Sequence, residues 1–244
     1  MTSPLNLFRR ALLCFRVAAP APLALLLLGA FAHAPAQTPG NPPNWCRNGA
    51  FTGDVARFRL GRVRGPRGAR AHFHGDAEGC PSPRCREKAY VIPGDEVIIA
   101  HGFGDWVCAW FQPAKGAETV GWLEASRLDV SEDASAATPA RFVGVWTFYE
   151  NFLDVRPGRG AGRLSVEGQA YWHGLGDNVH VGELAGEVTP EGRGFTYEDD
   201  SCRVAAQLVG AYLVVEDNNQ CGGVNVSFSG VYRKKQTRGK PHRD

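Results

Sequence analysis

Three β-type runs between Lys88 and Leu128 decide the fold of this chain: KAYVIPGDEV (88–97), GDWVCAWF (104–111) and VGWLEASRL (120–128). Turn residues separate the runs, and Pro93-Gly94-Asp95 predicts a tight reversal, because proline presets φ and glycine tolerates the turn. β-Branched and aromatic residues dominate and a helical period is almost absent, so we expect strands. The strands predicted in this half are Ala69–His74, Lys88–Ile92, Glu96–His101, Trp106–Phe111 and Val120–Leu123.

The first 36 residues have the layout of an export signal. Three arginines precede an apolar core at Leu23–Leu28, and Ala34-Pro35-Ala36 supplies the small residues that a signal peptidase reads. We therefore expect a signal peptide over residues 1–36 and a mature chain that is periplasmic or secreted. No later run approaches the roughly 18 apolar residues of a membrane span, so no transmembrane segment is expected in the mature chain.

Charge argues against one class of partner. The export signal holds three arginines and no acidic residue, so 24 Lys and Arg remain against 25 Asp and Glu. A net charge so close to zero offers no general attraction for nucleic acid, which is therefore not an expected partner.

Six cysteines follow the export signal, four in the first half and two in the second. An even number in an exported protein favours disulfides. Zinc is the alternative, but Cys80 and Cys85 form a lone pair without the second pair that a zinc site of this kind needs. The expected disulfides are Cys202–Cys221, Cys80–Cys85 and Cys46–Cys108, although the four cysteines of the first half allow three pairings.

A polar segment divides the chain into two halves. Residues 129–140, DVSEDASAATPA, are small and polar and are predicted to be an interdomain linker. The flanking regions, 45–128 and 141–233, are both predicted to be all-β domains. Residues 234–244, KKQTRGKPHRD, are predicted to be a basic disordered tail.

The second half is predicted to form seven or eight short antiparallel strands in a small barrel or sandwich, since closure hides strand edges. The predicted strands are Val143–Glu150, Arg163–Val166, Ala170–His173, Val179–Val188, Gly194–Glu198, Arg203–Val209, Tyr212–Glu216 and Val224–Tyr232.

Residues 45–128 resemble the bacterial SH3-like (SH3b-type) domain of exported proteins. The resemblance lies in the order of the three runs and in Gly121-Trp122-Leu123 followed by Ser126 and Leu128. It implies a small barrel that holds a partner and performs no chemistry. It also implies alternation along one strand, with Val107, Ala109 and Phe111 inside the barrel and Trp106, Cys108 and Trp110 facing the other way.

SH3-like folds commonly place a groove tryptophan after the loop that corresponds to Gly102–Asp105. Phe103, Asp105 and Trp106 are therefore the candidate binding residues of this chain. The alternative is that Trp106 covers the end of the barrel against a Cys46–Cys108 disulfide. Trp122 and Tyr90 are expected in the core.

The second half carries two further resemblances. Gly144-Val145-Trp146, together with an arginine at the end of the last strand, resembles calycin-type barrels, in which that arginine stacks on the tryptophan. The ending CGGVNVSFSGVY (221–232) fits the pattern CGGxNVxFxGxY and is similar to uncharacterised β domains of exported bacterial proteins, some of which accompany lysozyme-inhibitor-like modules. This similarity indicates a cellular setting, but it does not identify an activity.

Metal and catalytic sites are not expected. Histidines on exposed strand faces and beside turns are common, and no phosphate loop, Rossmann fingerprint or nucleophile elbow is present. We therefore expect no metal, no cofactor and no enzymatic activity. The residues considered were His72 and His74 with His101 or Asp76 for a metal, and His173, His180 and Glu183 for catalysis.

These patterns predict an exported, non-catalytic binding protein of the bacterial cell envelope, whose SH3-like half engages peptidoglycan or an envelope protein. The alternative is a periplasmic inhibitor or immunity-type protein that acts on a wall-degrading enzyme. A third hypothesis is a hydrolase anchored by the SH3-like half, with its active site in residues 141–233.

Overall fold

A computed structural model describes residues 44–53, 57–131 and 137–235. The described chain is all-β and contains two antiparallel sheets. The predicted signal peptide and residues 236–244 of the predicted tail lie outside these ranges. Within them, no helix is long and apolar enough to cross a membrane.

The first sheet has seven strands in the spatial order β3-β2-β6-β5-β4-β1-β7. Strand β7 pairs with β1 and was not predicted, so Asp129, Val130 and Ser131 belong to this sheet and not to the linker. Single 3₁₀ turns span Pro83–Cys85 and Ala125–Arg127. The strands are β1 Arg59–Val63, β2 Ala71–His74, β3 Arg86–Val91, β4 Glu96–Phe103, β5 Trp106–Phe111, β6 Thr119–Glu124 and β7 Leu128–Ser131.

All seven strands contribute to one apolar cluster, so the sheet curls around it. On strand β5, side chains alternate between the two faces of the sheet, so every second residue can enter this cluster. Val107, Ala109 and Phe111 enter this cluster, whereas Cys108 and Trp110 enter a different one, as the predicted alternation requires.

The opposite face of β5 is also buried, because the second half of the chain packs against it. Val209, Val214 and Val231 join Cys108 and Trp110 in one apolar cluster. The described residues of both halves accordingly belong to one compact unit.

Hydrogen bonds reinforce this contact between the halves. The Phe58 backbone N–H donates to Gln207 Oε1 over 2.9 Å, and Arg193 donates to the Phe58 carbonyl over 3.1 Å. Residues 132–136 of the predicted linker lie outside the described ranges.

The second sheet is a nearly closed barrel of eight antiparallel strands in the order β11-β10-β9-β8-β15-β14-β13-β12. The short helix α1, Pro139–Phe142, precedes it. The strands are β8 Gly144–Phe148, β9 Asn151–Pro157, β10 Leu164–His173, β11 Val179–Val188, β12 Gly194–Asp199, β13 Cys202–Val209, β14 Tyr212–Asp217 and β15 Gly230–Lys234.

The eight-stranded form of the prediction is confirmed, but three strands differ. Strand β9 was not predicted. The two short strands expected at 163–166 and 170–173 are one continuous strand, β10. The last strand begins at Gly230 and not at Val224, because residues 218–229 form a loop. It ends at Lys234, which had been assigned to the tail.

Apolar side chains fill the barrel, and chain segments cover both of its ends. Helix α1 covers one end with Phe142, and the 218–229 loop covers the other with Val226 and Phe228. The loop lies opposite α1 because it leads into β15, which runs antiparallel to β8. The interior is therefore a packed core.

A lysine occupies the place that the calycin resemblance gives to an arginine. Lys234 Nζ lies 4.8 Å from the centroid of the Trp146 ring and donates to the Arg141 carbonyl over 2.9 Å. The Trp146 indole N–H donates to the Phe142 carbonyl over 2.7 Å. Lys234 and Trp146 thus attach α1 to the barrel, and the expectation of an arginine was wrong.

The structure contains the three predicted disulfides, and each has a different position. Cys46–Cys108 joins the N-terminal segment to β5. Cys80–Cys85 closes the β2–β3 loop. Cys202–Cys221 attaches the 218–229 loop to the start of β13. Three such bonds indicate a non-reducing, extracytoplasmic environment.

Candidate functional site

Strands β4 and β5 end in a hairpin that carries all three candidate binding residues. Phe103 and Trp106 are cross-strand neighbours at its tip, with Gly104 and Asp105 in the turn. The Ala125 N–H donates to the Asp105 carbonyl over 2.9 Å, which fixes the turn against the following 3₁₀ segment. The Phe103 side chain is 42% exposed, Asp105 is exposed and Trp106 is half-buried.

A second layer of rings supports the hairpin. Trp122 is fully buried, and its ring centroid lies 6.0 Å from Phe103 and 5.3 Å from His101. His74 meets Trp106 edge-on at 4.5 Å. We call the surface formed by Phe103, Asp105 and Trp106 the hairpin-tip surface.

Burial makes the ring layer uncharged near neutral pH. Desolvation lowers the pKa of His74, although the nearby backbone carbonyls of Trp122 and His72 oppose this shift. The pKa of His101 is lowered for the same reason. His74 Nδ1 is buried and makes no hydrogen bond, the one such side-chain atom among the described residues. Both rings are therefore neutral at pH 7, and the hairpin-tip surface is aromatic with one carboxyl group.

The N-terminal segment fixes the edge of this region. The Trp122 indole N–H donates to the Asn44 carbonyl over 2.9 Å. Arg47 donates to both carboxyl oxygens of Asp76, over 2.6 and 2.7 Å, and its guanidinium lies over the Trp45 ring. Burial raises the pKa of Asp76, but hydrogen bonds from Arg47 and the Cys46 N–H outweigh it, so the pKa lies below its usual value.

The barrel covers the far end of the same sheet face and leaves the hairpin tip uncovered. Tyr212 packs edge-on against Trp110 at 5.0 Å. Trp106 lies on the same face of β5 four residues earlier, about 13 Å away at the rise of a strand. Phe103 and Trp106 therefore lie on the part of this sheet face that the barrel does not cover.

The position of Trp106 fits both of the alternatives that the sequence left open. It packs against the cluster that contains Cys46, Cys108 and Trp122, and it still retains exposed surface. Trp122 is in the core, as predicted. Sequence reasoning did not identify His74 and His101 as supports of the binding residues. The sequence signal that could have identified these two histidines is their position among the buried apolar residues of β2 and β4.

Tyr90 lies outside the core, contrary to expectation. It is 40% exposed, and the Arg70 guanidinium lies 4.4 Å from its ring centroid. It stands on β3, the edge strand of the first sheet, where a side chain has a neighbouring strand on one side only.

The histidines considered for chemistry have other partners. His72 Nε2 accepts from Arg86 over 2.7 Å, and its Nδ1 lies 3.0 Å from the Glu87 carbonyl. His173 pairs with Glu150 over 2.6 Å, and His180 Nδ1 lies 2.6 Å from the Val224 carbonyl. Over the described ranges, no three His, Cys, Asp or Glu side chains are grouped as a metal site would require.

Comparisons with protein-family models, with curated proteins and with solved structures found no match for this chain. The function must therefore be argued from the site itself.

Proposed function

We propose that this chain is an exported, non-catalytic binding protein of the bacterial cell envelope, and that its hairpin-tip surface engages peptidoglycan. The cross-strand pair of the exposed Phe103 and the half-buried Trp106 is the observation that supports this proposal. The three disulfides support export, because such bonds persist in oxidising compartments.

The chemistry of the surface fits a glycan better than an anion. Aromatic rings offer flat apolar faces on which the C–H faces of a sugar ring can pack, while Asp105 can accept hydrogen bonds from hydroxyl groups. His74 and His101 carry no positive charge at neutral pH, so they add no attraction for an acidic ligand. Rings held by a buried second layer also lose little side-chain freedom on binding.

Replacing Phe103 or Trp106 by alanine should weaken retention on purified sacculi. An aromatic anchor typically contributes 2 kcal/mol or more, so we expect the dissociation constant to rise about 30-fold. A co-sedimentation titration with sacculi measures this change. Phe103→Ala should leave the melting temperature nearly unchanged, because the side chain is 42% exposed.

Tyr90→Ala is the matched control, since it removes a similarly exposed ring from the same sheet, but from the edge strand β3 instead of the inner strand β4. It should leave retention unchanged. Equal loss in Tyr90→Ala and Phe103→Ala would show that retention is nonspecific. If the parent protein is not retained, the peptidoglycan proposal is wrong.

A second candidate function is inhibition of a wall-degrading enzyme. The observation that favours it is the β10–β11 hairpin, whose tip residue Leu175 is 97% exposed. Val179, the first residue of β11, is also exposed, and so is Val224, whose carbonyl lies 2.6 Å from His180 Nδ1 of the same strand. Soluble proteins rarely leave several large apolar residues together in solvent unless a partner covers them. A projecting apolar tip of this kind suits insertion into the cleft of a partner protein.

Leu175→Asp should weaken inhibition of a lysozyme-type hydrolase at least tenfold, because a charge would have to enter an apolar contact. A turbidity assay of cell-wall lysis with and without the protein measures it. Leu175→Met keeps the side chain apolar and should retain inhibition. Full lytic activity in the presence of the parent protein would exclude this function.

A further inference from the structure

A cleft of about 330 Å³ lies between the two sheets, away from the hairpin tip. Its walls come from segments distant in sequence: the N-terminal segment and the β5–β6 hairpin on one side, the β8–β9 turn and the start of β15 on the other. The lining residues that matter for its chemistry are Phe51, Trp110, Glu118, Phe148, Tyr149 and Ser227.

Phe148 and Tyr149 supply the accessible aromatic surface of the cleft, whereas Trp110 and Phe51, each 3% exposed, are almost fully buried along its walls. The rings of Phe148 and Tyr149 meet edge-on at 4.8 Å, and Trp110 lies on the opposing wall. Phe148 lies directly over Gly230, where any Cβ atom would overlap its ring. Glycine at position 230 therefore leaves the space that the Phe148 ring occupies at the cleft.

Glu118 is the one charged residue among those that line the cleft. Its Oε2 accepts from the Trp110 indole N–H over 2.8 Å, and its Oε1 lies 3.5 Å from the Tyr149 hydroxyl. Over the described residues it forms no ion pair. The negative charge of Glu118 is the main cause of the raised pKa of Tyr149, so that hydroxyl stays protonated and donates. Within the part of the chain that the structure describes, the cleft thus presents a carboxylate without a cationic partner, flanked by aromatic rings.

The backbone at Tyr149 is unusual for its side chain. Tyr149 and Glu150 form the two-residue turn between β8 and β9, and Tyr149 has a φ of 51°, in the left-handed region that favours glycine. Tyr149 is also 77% exposed, so its ring contributes little to the core. A bulky residue in a conformation suited to glycine, with little burial in return, indicates that the side chain has a role beyond folding.

We propose that this cleft is a binding site for a primary ammonium group carried on an aliphatic chain, of the kind that a lysine side chain presents. The ammonium pairs with Glu118 and lies against the accessible rings of Tyr149 and Phe148, as cations do in aromatic cages. The aliphatic chain packs along the same two rings. An anionic ligand is disfavoured by Glu118, and a neutral ligand leaves that charge unpaired. The site shares no residue with the hairpin-tip surface, so this proposal does not depend on the proposed function.

A titration with two matched probes tests the proposal. The probes are Nα-acetyl-lysine methylamide and Nα-acetyl-norleucine methylamide, whose side chains differ chiefly in the ammonium group. The full-length protein is followed by the NMR signal of the Trp110 indole N–H, which donates to Glu118. The lysine probe should shift this signal saturably, and the norleucine probe should bind at least tenfold more weakly.

Two variants locate the interaction. Glu118→Gln should raise the dissociation constant of the lysine probe at least tenfold, because the amide keeps the shape and removes the charge. Tyr149→Gly should raise it at least fivefold while leaving the melting temperature unchanged or higher, since glycine suits the left-handed backbone. Glu124→Gln, an exposed acid that pairs with Arg127 elsewhere on the first sheet, is the control and should bind as the parent does.

Three results would overturn the proposal. The first is no saturable shift of the Trp110 signal with the lysine probe. The second is equal affinity for the two probes, which would make the cleft a simple apolar site. The third is unchanged affinity in both Glu118→Gln and Tyr149→Gly, which would place the ammonium elsewhere.

Discussion

Replacing Trp122 by alanine should lower the free energy of unfolding by about 3–5 kcal/mol, the usual cost of removing a large aromatic side chain from a core. Trp122 is fully buried and packs against His101 and Phe103. Its indole N–H also satisfies the Asn44 carbonyl, which the variant would leave without that donor. Denaturant unfolding monitored by circular dichroism measures the change.

Tyr90→Ala serves as the control for this experiment, because it removes a ring of similar size that is 40% exposed. We expect it to cost less than about 1 kcal/mol, as for surface positions. If Trp122→Ala costs no more than Tyr90→Ala, Trp122 is not a core residue and the ring layer beneath Phe103 does not support the hairpin tip.

The comparison of Trp122 with Trp106 separates folding from binding. Both residues lie on the same face of the first sheet, as shown by their membership of one cluster. Trp122→Ala should reduce the free energy of unfolding. It should reduce retention on sacculi only to the extent that the protein unfolds. Phe103→Ala and Trp106→Ala should reduce retention in protein that still unfolds cooperatively.

Local patterns predicted much of this fold, because they are set by neighbouring residues. The resemblance to SH3-like domains implied a strand at WVCAWF, with Val107 and Ala109 on one face and Trp106 and Trp110 on the other. Turn residues such as Pro93-Gly94-Asp95 predicted where the chain reverses between two strands. The disulfide pairs followed from an even number of cysteines and from the short separation within two of the pairs.

Contacts between distant segments were beyond such patterns. Alternation predicts one buried face, yet both faces of β5 are buried because the barrel packs on the second. The gap predicted between the strands at 163–166 and 170–173 does not exist, and Gly168 lies inside β10, where a Cβ atom would overlap Leu153 of the neighbouring strand. The inter-sheet cleft was not predictable, since Phe51, Trp110 and Tyr149 meet only in the folded chain.

The 218–229 loop is a further example, because its order depends on one buried side chain. Asp217 Oδ1 accepts from the Ser227 and Ser229 hydroxyls, over 2.8 and 3.0 Å, and Oδ2 accepts from the Phe228 N–H over 2.7 Å. Apolar and polar residues alternate over residues 224–232, a pattern that predicts one strand. The hydrogen bonds to Asp217 instead bend residues 227–229 across the end of the barrel.

Asp217→Asn should therefore lower the free energy of unfolding by about 3 kcal/mol. The amide of asparagine has one accepting oxygen where the carboxyl group has two, so its N–H₂ group must face either the Phe228 N–H or the serine hydroxyls. Phe228 is fully buried, so an N–H group left there without an acceptor costs the full desolvation penalty. The loop would then no longer hold Phe228 and Val226 firmly in the core. Denaturant unfolding, with hydrogen exchange at Phe228 as the local measure, tests this expectation.

Asp177→Asn makes the same chemical change at an exposed turn of the same barrel and should alter stability by less than about 0.5 kcal/mol. The difference between the two variants isolates the effect of the buried acceptor from that of the lost charge. Slow exchange at Phe228 in Asp217→Asn, together with a stability equal to that of Asp177→Asn, would show that the loop is held by the Cys202–Cys221 disulfide alone. Fast exchange at Phe228 with the disulfide intact would show that the disulfide only attaches the loop, while Asp217 gives it its conformation.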